Sequence, residues 1–289
     1  MNISALFGQL LVGLINGSFY AMLSLGVAVV FGLLQIVNFA HGTLYMLGAF
    51  LAWLALERIG LNYWAALVVI PLLVAFIGAL IERGMLSRLR GLDPIYGFLL
   101  TFGISLVVEG MFTYWFGSSG RPYSPPSELR GGIDVGVAFV PIYRLWIVAA
   151  SLLVCLSTWF LIERTRLGAT MRSATENAPL VQVFGINVPV LVTLTYAGAA
   201  GLAALAGVLA APIFQVSSHM GSQLLILVFA VVVIGGMGSI LGAIVTGYAL
   251  GIVEGVTKFA YPQGASIVIF VVMAAVLLVK PGGLFGRKN

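Results

Sequence analysis

The chain has 289 residues, only 8% of them charged, and its mean hydropathy is +1.12. Soluble domains carry charge on about a quarter of their residues, so 14 basic and 9 acidic side chains cannot solvate a surface of this size. The composition excludes a soluble two-domain protein, a disordered chain and a disulfide-rich secreted module, and leaves one integral membrane domain over 1–289.

Apolar stretches are predicted over 6–30, 42–56, 64–82, 95–116, 143–163, 189–211, 223–240, 242–257 and 265–280. They are apolar on every face rather than alternating, and most approach the roughly 20 residues a bilayer span needs. They therefore read as helices and not as strands of a barrel. The fold class is all-α, a polytopic transmembrane helical bundle of eight to nine segments, some of them broken or re-entrant.

In the first stretch no Lys or Arg precedes Arg58, so a cleaved signal peptide with a basic n-region is not expected. Gly13 and Gly17 stand four apart, as do Gly247, Gly251 and Gly255 near the other end. Small residues at this spacing let helices approach closely, either within the chain or against a second membrane subunit.

The run Gln35-Ile36-Val37-Asn38-Phe39-Ala40-His41-Gly42 breaks the apolar pattern before 42–56. A second break, Gly235-Gly236-Met237-Gly238-Ser239-Ile240-Leu241-Gly242, comes before 242–257. Both following stretches read as short. Short, interrupted segments point to a transport path, because their freed backbone groups survive only inside protein or against a wet cavity. The candidate path residues are Asn38, His41, Gly42, Gly235, Gly236 and Gly238. Asn38 and His41 have a second reading as local caps of freed backbone, and His41 a third as a pH sensor.

Glu109 falls inside 95–116, where an acid is a functional suspect by default, although the nearby outer boundary also permits a structural hydrogen-bonding role. The Pro-, Gly- and Ser-rich connection 117–142 follows. Its Gly117-Ser118-Ser119-Gly120 matches a serine-protease motif, with His219 as a conceivable base, but a solvated loop lacks the dry setting that catalysis needs and reads as an ordinary turn. Cys155 stands alone and forms neither a disulfide nor a thiolate metal site.

The connection 164–188 differs in character. Arg164, Arg166 and Arg172 are read as extending the preceding membrane helix. Asn177 then offers an N-cap, Pro179 a first-turn residue and Gly185 a stop. The two-turn helix between them carries Leu180, Val181, Val183 and Phe184, and exposed apolar groups on a projecting helix call for a partner. Further on, Glu254 and Lys258 have the spacing of an i,i+4 ion pair.

Nine basic residues (Arg83, Arg88, Arg90, Arg164, Arg166, Arg172, Lys280, Arg287, Lys288) fall on one set of connections and five on the other. The positive-inside rule places the larger set, and with it the C-terminus, in the cytoplasm. The N-terminus is outside if all nine stretches cross and inside if eight do.

Several chemistries are missing. None of the three lysines sits in a phosphate-binding loop, so any ATP hydrolysis belongs to another subunit. The two histidines lack the spacing and neighbouring carboxylates of a metal site. No continuous basic face suits nucleic acid. No cofactor is expected.

Six segments together resemble the permease subunit of branched-chain amino-acid ABC importers, the LivH type, over essentially the whole chain. They are Asn16 to Ala21; Ile36 to Gly42 with Met46 to Ala49; Arg164 to Arg172; Gly198 to Gly207; Val233 to Ala243; and Pro281 to Gly286. The resemblance implies an ABC-importer permease fold in a bacterial cytoplasmic membrane, moving leucine, isoleucine or valine. It implies a second permease subunit, two cytoplasmic ATP-binding subunits and an extracytoplasmic solute-binding protein. It also implies that the cytoplasmic loop couples to the ATPases, through Arg172, Glu176, Asn177, Leu180, Phe184 and Gly185. Glu176-Asn177-Ala178 stands where the wider class often has Glu-Ala-Ala. Two other readings are a permease for urea, amides or another small solute, and a self-sufficient channel or secondary transporter using Glu109, Glu254 and His41 as a proton relay.

Overall fold

Every apolar stretch forms a helix in the computed structural model, which describes residues 3–34, 36–134, 136 and 139–286. Gln35 of the first break, and Arg287 and Lys288 of the basic C-terminus, lie outside the described residues. In chain order the helices are α1 Ile3–Leu34, α2 Ala40–Ile59, α3 Tyr63–Gly84, α4 Pro94–Phe116 and α5 Ile142–Arg164. They continue as α6 Arg166–Glu176, α7 Ala178–Val183, α8 Val188–Ala210, α9 Met220–Gly235, α10 Ile240–Ala260 and α11 Ala265–Val279. A small antiparallel hairpin, β1 Gly132–Asp134 with β2 Phe139–Pro141, lies in the 117–142 connection. Among the described residues, eight helices are long and apolar enough to cross a membrane, and α9, with 16 residues, is a shorter apolar helix.

Four boundaries differ from the sequence reading. The segments read as short are α2 and α10, which have 20 and 21 residues. Both start on residues assigned to the breaks, because polar side chains there satisfy the first amides: Asn38 Oδ1 accepts from Ala40 N at 3.1 Å, and Ser239 Oγ accepts from Gly242 N at 3.1 Å. The short helix is α9, which stops at Gly235 where the reading carried it to 240. Finally, Arg166 and Arg172 do not extend α5. The chain turns at Thr165, which is extended, and Arg166 opens a separate helix.

The chain forms two packing units, each discontinuous in sequence: residues 1–25, 125–157 and 226–289, and residues 26–124 and 158–225. In the first, α10 packs on the early part of α1 through glycines. A Cβ added at Gly13 would strike the Gly251 carbonyl, one at Gly17 would lie 3.1 Å from the Gly247 oxygen, and one at Gly255 would meet the Gln9 carbonyl. Without side chains on either surface the backbones come into direct contact. Hydrogen bonds add specificity where no water competes: Tyr248 OH donates to Ser151 Oγ at 2.8 Å, and Ser151 Oγ donates to the Ser18 carbonyl at 3.0 Å.

The second unit is centred on α2, α3 and α8. The buried face of α8 is made of small residues, including Ala199, Ala200, Ala203, Ala204 and Gly207. Gly48 on α2 abuts the Ala204 backbone, Gly207 abuts the Tyr45 carbonyl, and Gly78 on α3 meets Ala200. Asn62, Asp93 and Asn187 cap α3, α4 and α8 through their side-chain oxygens.

Candidate functional site

Within the second unit, α4 presents Thr101, Ser105 and Glu109 at intervals of four, on one face of the helix. Each meets a polar partner. Thr101 Oγ1 accepts from Phe39 N at 3.2 Å, Ser105 Oγ lies 2.6 Å from Thr43 Oγ1, and Glu109 Oε1 lies 2.5 Å from His219 Nδ1. Thr101 and Ser105 are buried, whereas the Glu109 and His219 side chains keep 20% and 46% of their surface exposed. Aromatic rings flank this seam: Phe39 packs edge-on to Phe98 and Phe102, and Phe50 packs on Phe112 and Phe116. The arrangement is a file of hydrogen-bonding groups along α2 and α4, ending at an ion-pairing carboxylate. A carboxyl left partly exposed on an apolar span has to face water or protein, since lipid contact is costly.

Asn38, His41 and Gly42 open α2 beside this file. Asn38 is 2% exposed, and its Oδ1 also accepts from Tyr196 OH at 3.4 Å. The local capping role is therefore present. Its Nδ2 has no hydrogen-bond partner among the described residues, an uncommon state for a buried amide that suits a bound water or a passing polar solute. His41, 1% exposed, lies against Gly26, where a Cβ would come within 2.6 Å of the ring. Gly42 crosses the start of α9 at Gly221, and neither position has room for a side chain.

Gly235, Gly236 and Gly238 lie in the other unit and build the α9–α10 turn. Gly236 and Gly238 adopt φ of +100° and +83°, which favours glycine. Leu284 N and Phe285 N donate to the carbonyls of Ile234 and Gly235 at 2.8 and 3.0 Å. Two of the motifs that carry the family resemblance, Val233 to Ala243 and Pro281 to Gly286, thus fold against each other.

The helix expected after Asn177 is present as α7. Asn177 Oδ1 accepts from Leu180 N at 3.0 Å, Pro179 lies in the first turn, and Gly185 adopts φ +81°. Val181 is buried with Ala174, Val188 and Val192, and this contact anchors the helix. Leu180, Val183 and Phe184 are 53%, 82% and 74% exposed. Arg172 folds α6 back on the end of α5, donating to the Ile162 carbonyl at 3.0 Å and facing Glu163 at 3.4 Å. Thr175 Oγ1 reaches the Gly32 carbonyl of α1 at 3.2 Å. Glu176 lies exposed at the end of α6.

One ionic site escaped the sequence reading. Glu82, at the end of α3, is fully buried, pairs with Arg90 and accepts from Thr193 Oγ1 of α8 at 2.5 Å. Its only sequence signal was an acid closing an apolar stretch eight residues before an arginine. The stripe Thr101-Ser105-Glu109 was also missed, although its spacing of four was visible. The i,i+4 pair was found: Lys258 Nζ lies 2.5 Å from Glu254, which also accepts from Tyr20 OH at 2.7 Å and Asn16 Nδ2 at 3.2 Å. The protease reading finds no support in the geometry: among the described residues no hydrogen bond joins His219 to Ser119, which is exposed. Among the described residues no three His, Cys, Asp or Glu converge on a metal site.

The chain is similar to known proteins over nearly its whole length. The sequence profile of the family described as branched-chain amino acid transport system, permease component, matches residues 9–277. The chain is 30% identical, over 97% of its length and 96% of the other, to the high-affinity branched-chain amino acid transport system permease protein BraD of Pseudomonas aeruginosa. It is 29% identical over the same shares to LivH of Escherichia coli K12. It is 23% identical, over 94% of its length and 90% of the other, to a probable LivH of Methanocaldococcus jannaschii. No solved structure matches significantly.

Proposed function

Because the chain belongs to the branched-chain amino acid permease family, we propose that it is a membrane subunit of an ATP-driven importer for leucine, isoleucine and valine. It pairs with a second permease and docks on two ATP-binding subunits. It receives substrate from an extracytoplasmic binding protein. The C-terminus is cytoplasmic, on the balance of basic residues.

The observation that carries this reading is α7. A capped helix that buries Val181 and exposes Leu180, Val183 and Phe184 is held by the chain yet leaves an apolar face for another protein. Arg172, Glu176, Asn177 and Gly185 set its position and ends, and the ATPase drive enters here. The substrate path follows the file from Asn38, His41 and Gly42 along Thr101, Ser105 and Glu109. Gly235, Gly236 and Gly238 serve the other unit as a bending point.

Reconstitution in vesicles tests the reading. Leucine uptake is expected only when the chain is combined with a second permease, ATPase subunits, binding protein and ATP. Uptake by the chain alone would instead establish a self-sufficient transporter, which the Glu109–His219 pair would suit as a proton-carrying element.

A further inference from the structure

A cleft of about 370 Å³ opens in the second unit between the last part of α5 and α8. Its walls include Leu161, Ile162, Leu167, Met171, Leu194 and Leu202. Thr195 also lines it, but its hydroxyl is spent on the Leu191 carbonyl at 2.8 Å. The floor is Gly198, where an added Cβ would meet nothing within 4 Å. Gly201 and Gly207 of the same helix are backed by Pro71 and Tyr45, so packing accounts for them. Gly198 has no such neighbour, and a mid-helix glycine weakens a helix. What its missing side chain preserves is the depth of the cleft.

The cleft does not suit the transported solute. No acid, base or amide lines it, so a zwitterion would enter unpaired. Leu161 and Leu194 belong to the membrane spans α5 and α8 and are 49% and 65% exposed, while Leu167 and Met171 close the cleft from α6.

The turn that joins the lining residues Ile162 and Leu167 is basic. Arg164 and Arg166 flank the α5–α6 turn, next to the lining residues Ile162 and Leu167. Arg166 has no acidic partner among the described residues, and the nearby Glu163 faces Arg172 instead. The Arg164 guanidinium stands 5.7 Å over the Trp159 ring, and tryptophan marks the level of lipid headgroups. Apolar depth with an arginine pair at headgroup level is complementary to one molecule, an amphiphile with a negative head.

We propose that this cleft binds an anionic phospholipid, one acyl chain lying over Gly198 and the phosphate resting on Arg164 and Arg166. Native mass spectrometry of the assembled transporter, purified with phosphatidylglycerol or phosphatidylcholine, tests this. The wild type retains phosphatidylglycerol in preference. Arg164→Gln and Arg166→Gln each lower that preference about fivefold. Gly198→Leu removes the retained lipid, while Gly198→Ala, which leaves most of the depth, keeps it and serves as the folding control. Equal retention of the two lipids, or retention unchanged in Gly198→Leu, overturns the proposal. Retention by the isolated chain that vanishes on assembly overturns it too, and assigns the cleft to a partner subunit.

Discussion

Val181 and Phe184 stand three residues apart at the end of α7, yet Val181 is 6% exposed and Phe184 is 74% exposed. One holds the helix to its own chain and the other is left for a partner. Phe184→Asp should leave expression and thermal stability unchanged but abolish ATP-dependent uptake and recovery of the ATPase subunits. Val181→Asp should destabilise the chain itself by about 3 kcal/mol, since it buries an unpaired charge. Thermal unfolding and co-purification separate the two. Normal uptake by Phe184→Asp would remove α7 from the coupling path.

Glu82 joins α3 to Arg90 and to Thr193 of α8, and it does so without solvent contact. Glu82→Ala leaves Arg90, 30% exposed, without its counter-charge, and leaves Thr193 Oγ1 only the Pro189 carbonyl at 3.0 Å. The expected loss is about 3 kcal/mol, read as a lowered unfolding midpoint in detergent. Glu82→Gln, which keeps an acceptor for Thr193, should lose less.

The glycines divide into two kinds. Gly13→Ala pushes a methyl into the Gly251 carbonyl and should cost about 2 kcal/mol through forced separation of α1 and α10. Gly110→Ala, with nothing within 4 Å, should instead stabilise α4 by about 0.5–1 kcal/mol. Thermal melts of the two variants should move in opposite directions.

The Glu109–His219 contact is partly exposed, so solvent screens it and its coupling should be modest. A double-mutant cycle with Glu109→Gln and His219→Gln should give about 1 kcal/mol. If Glu109 lines the path, Glu109→Gln should also slow uptake by more than this stability change explains, measured at equal amounts of folded transporter.

Tyr123, in the 117–142 connection, is buried and its hydroxyl has no partner among the described residues. Burial, and secondarily the neighbouring Tyr63, push its phenol up to about 12 from the ordinary 10.0. A raised folded-state value means that the stabilisation is intact below pH 10 and is lost as pH rises toward 12. Tyr123→Phe should flatten the decline in thermal stability over that window.

Much of this was legible in the residues themselves. Long uncharged runs have one stable form in lipid, so nine helices could be placed without knowing any contact. Asn177, Pro179 and Gly185 marked the ends of α7 because caps act through hydrogen bonds and φ angles within a few residues. Glu254 and Lys258 paired as read because four residues bring side chains together on any helix. Helix starts were less legible: Ser239 reads as part of a break but caps α10, whereas Asn38, for which local capping is one of the readings, does bond the first amide of α2.

Contacts between elements distant in sequence were decided only by the tertiary structure. That Gly13 and Gly17 pack on Gly247, Gly251 and Gly255, and not on another subunit, depends on which helices become neighbours. Glu109 finding His219 and Glu82 finding Thr193 depend on the same choice. The low charge count announced a membrane protein, because composition reports the solvent. Where its few polar groups meet is settled by packing, since in an apolar medium each must find a partner across whatever distance in sequence the fold provides.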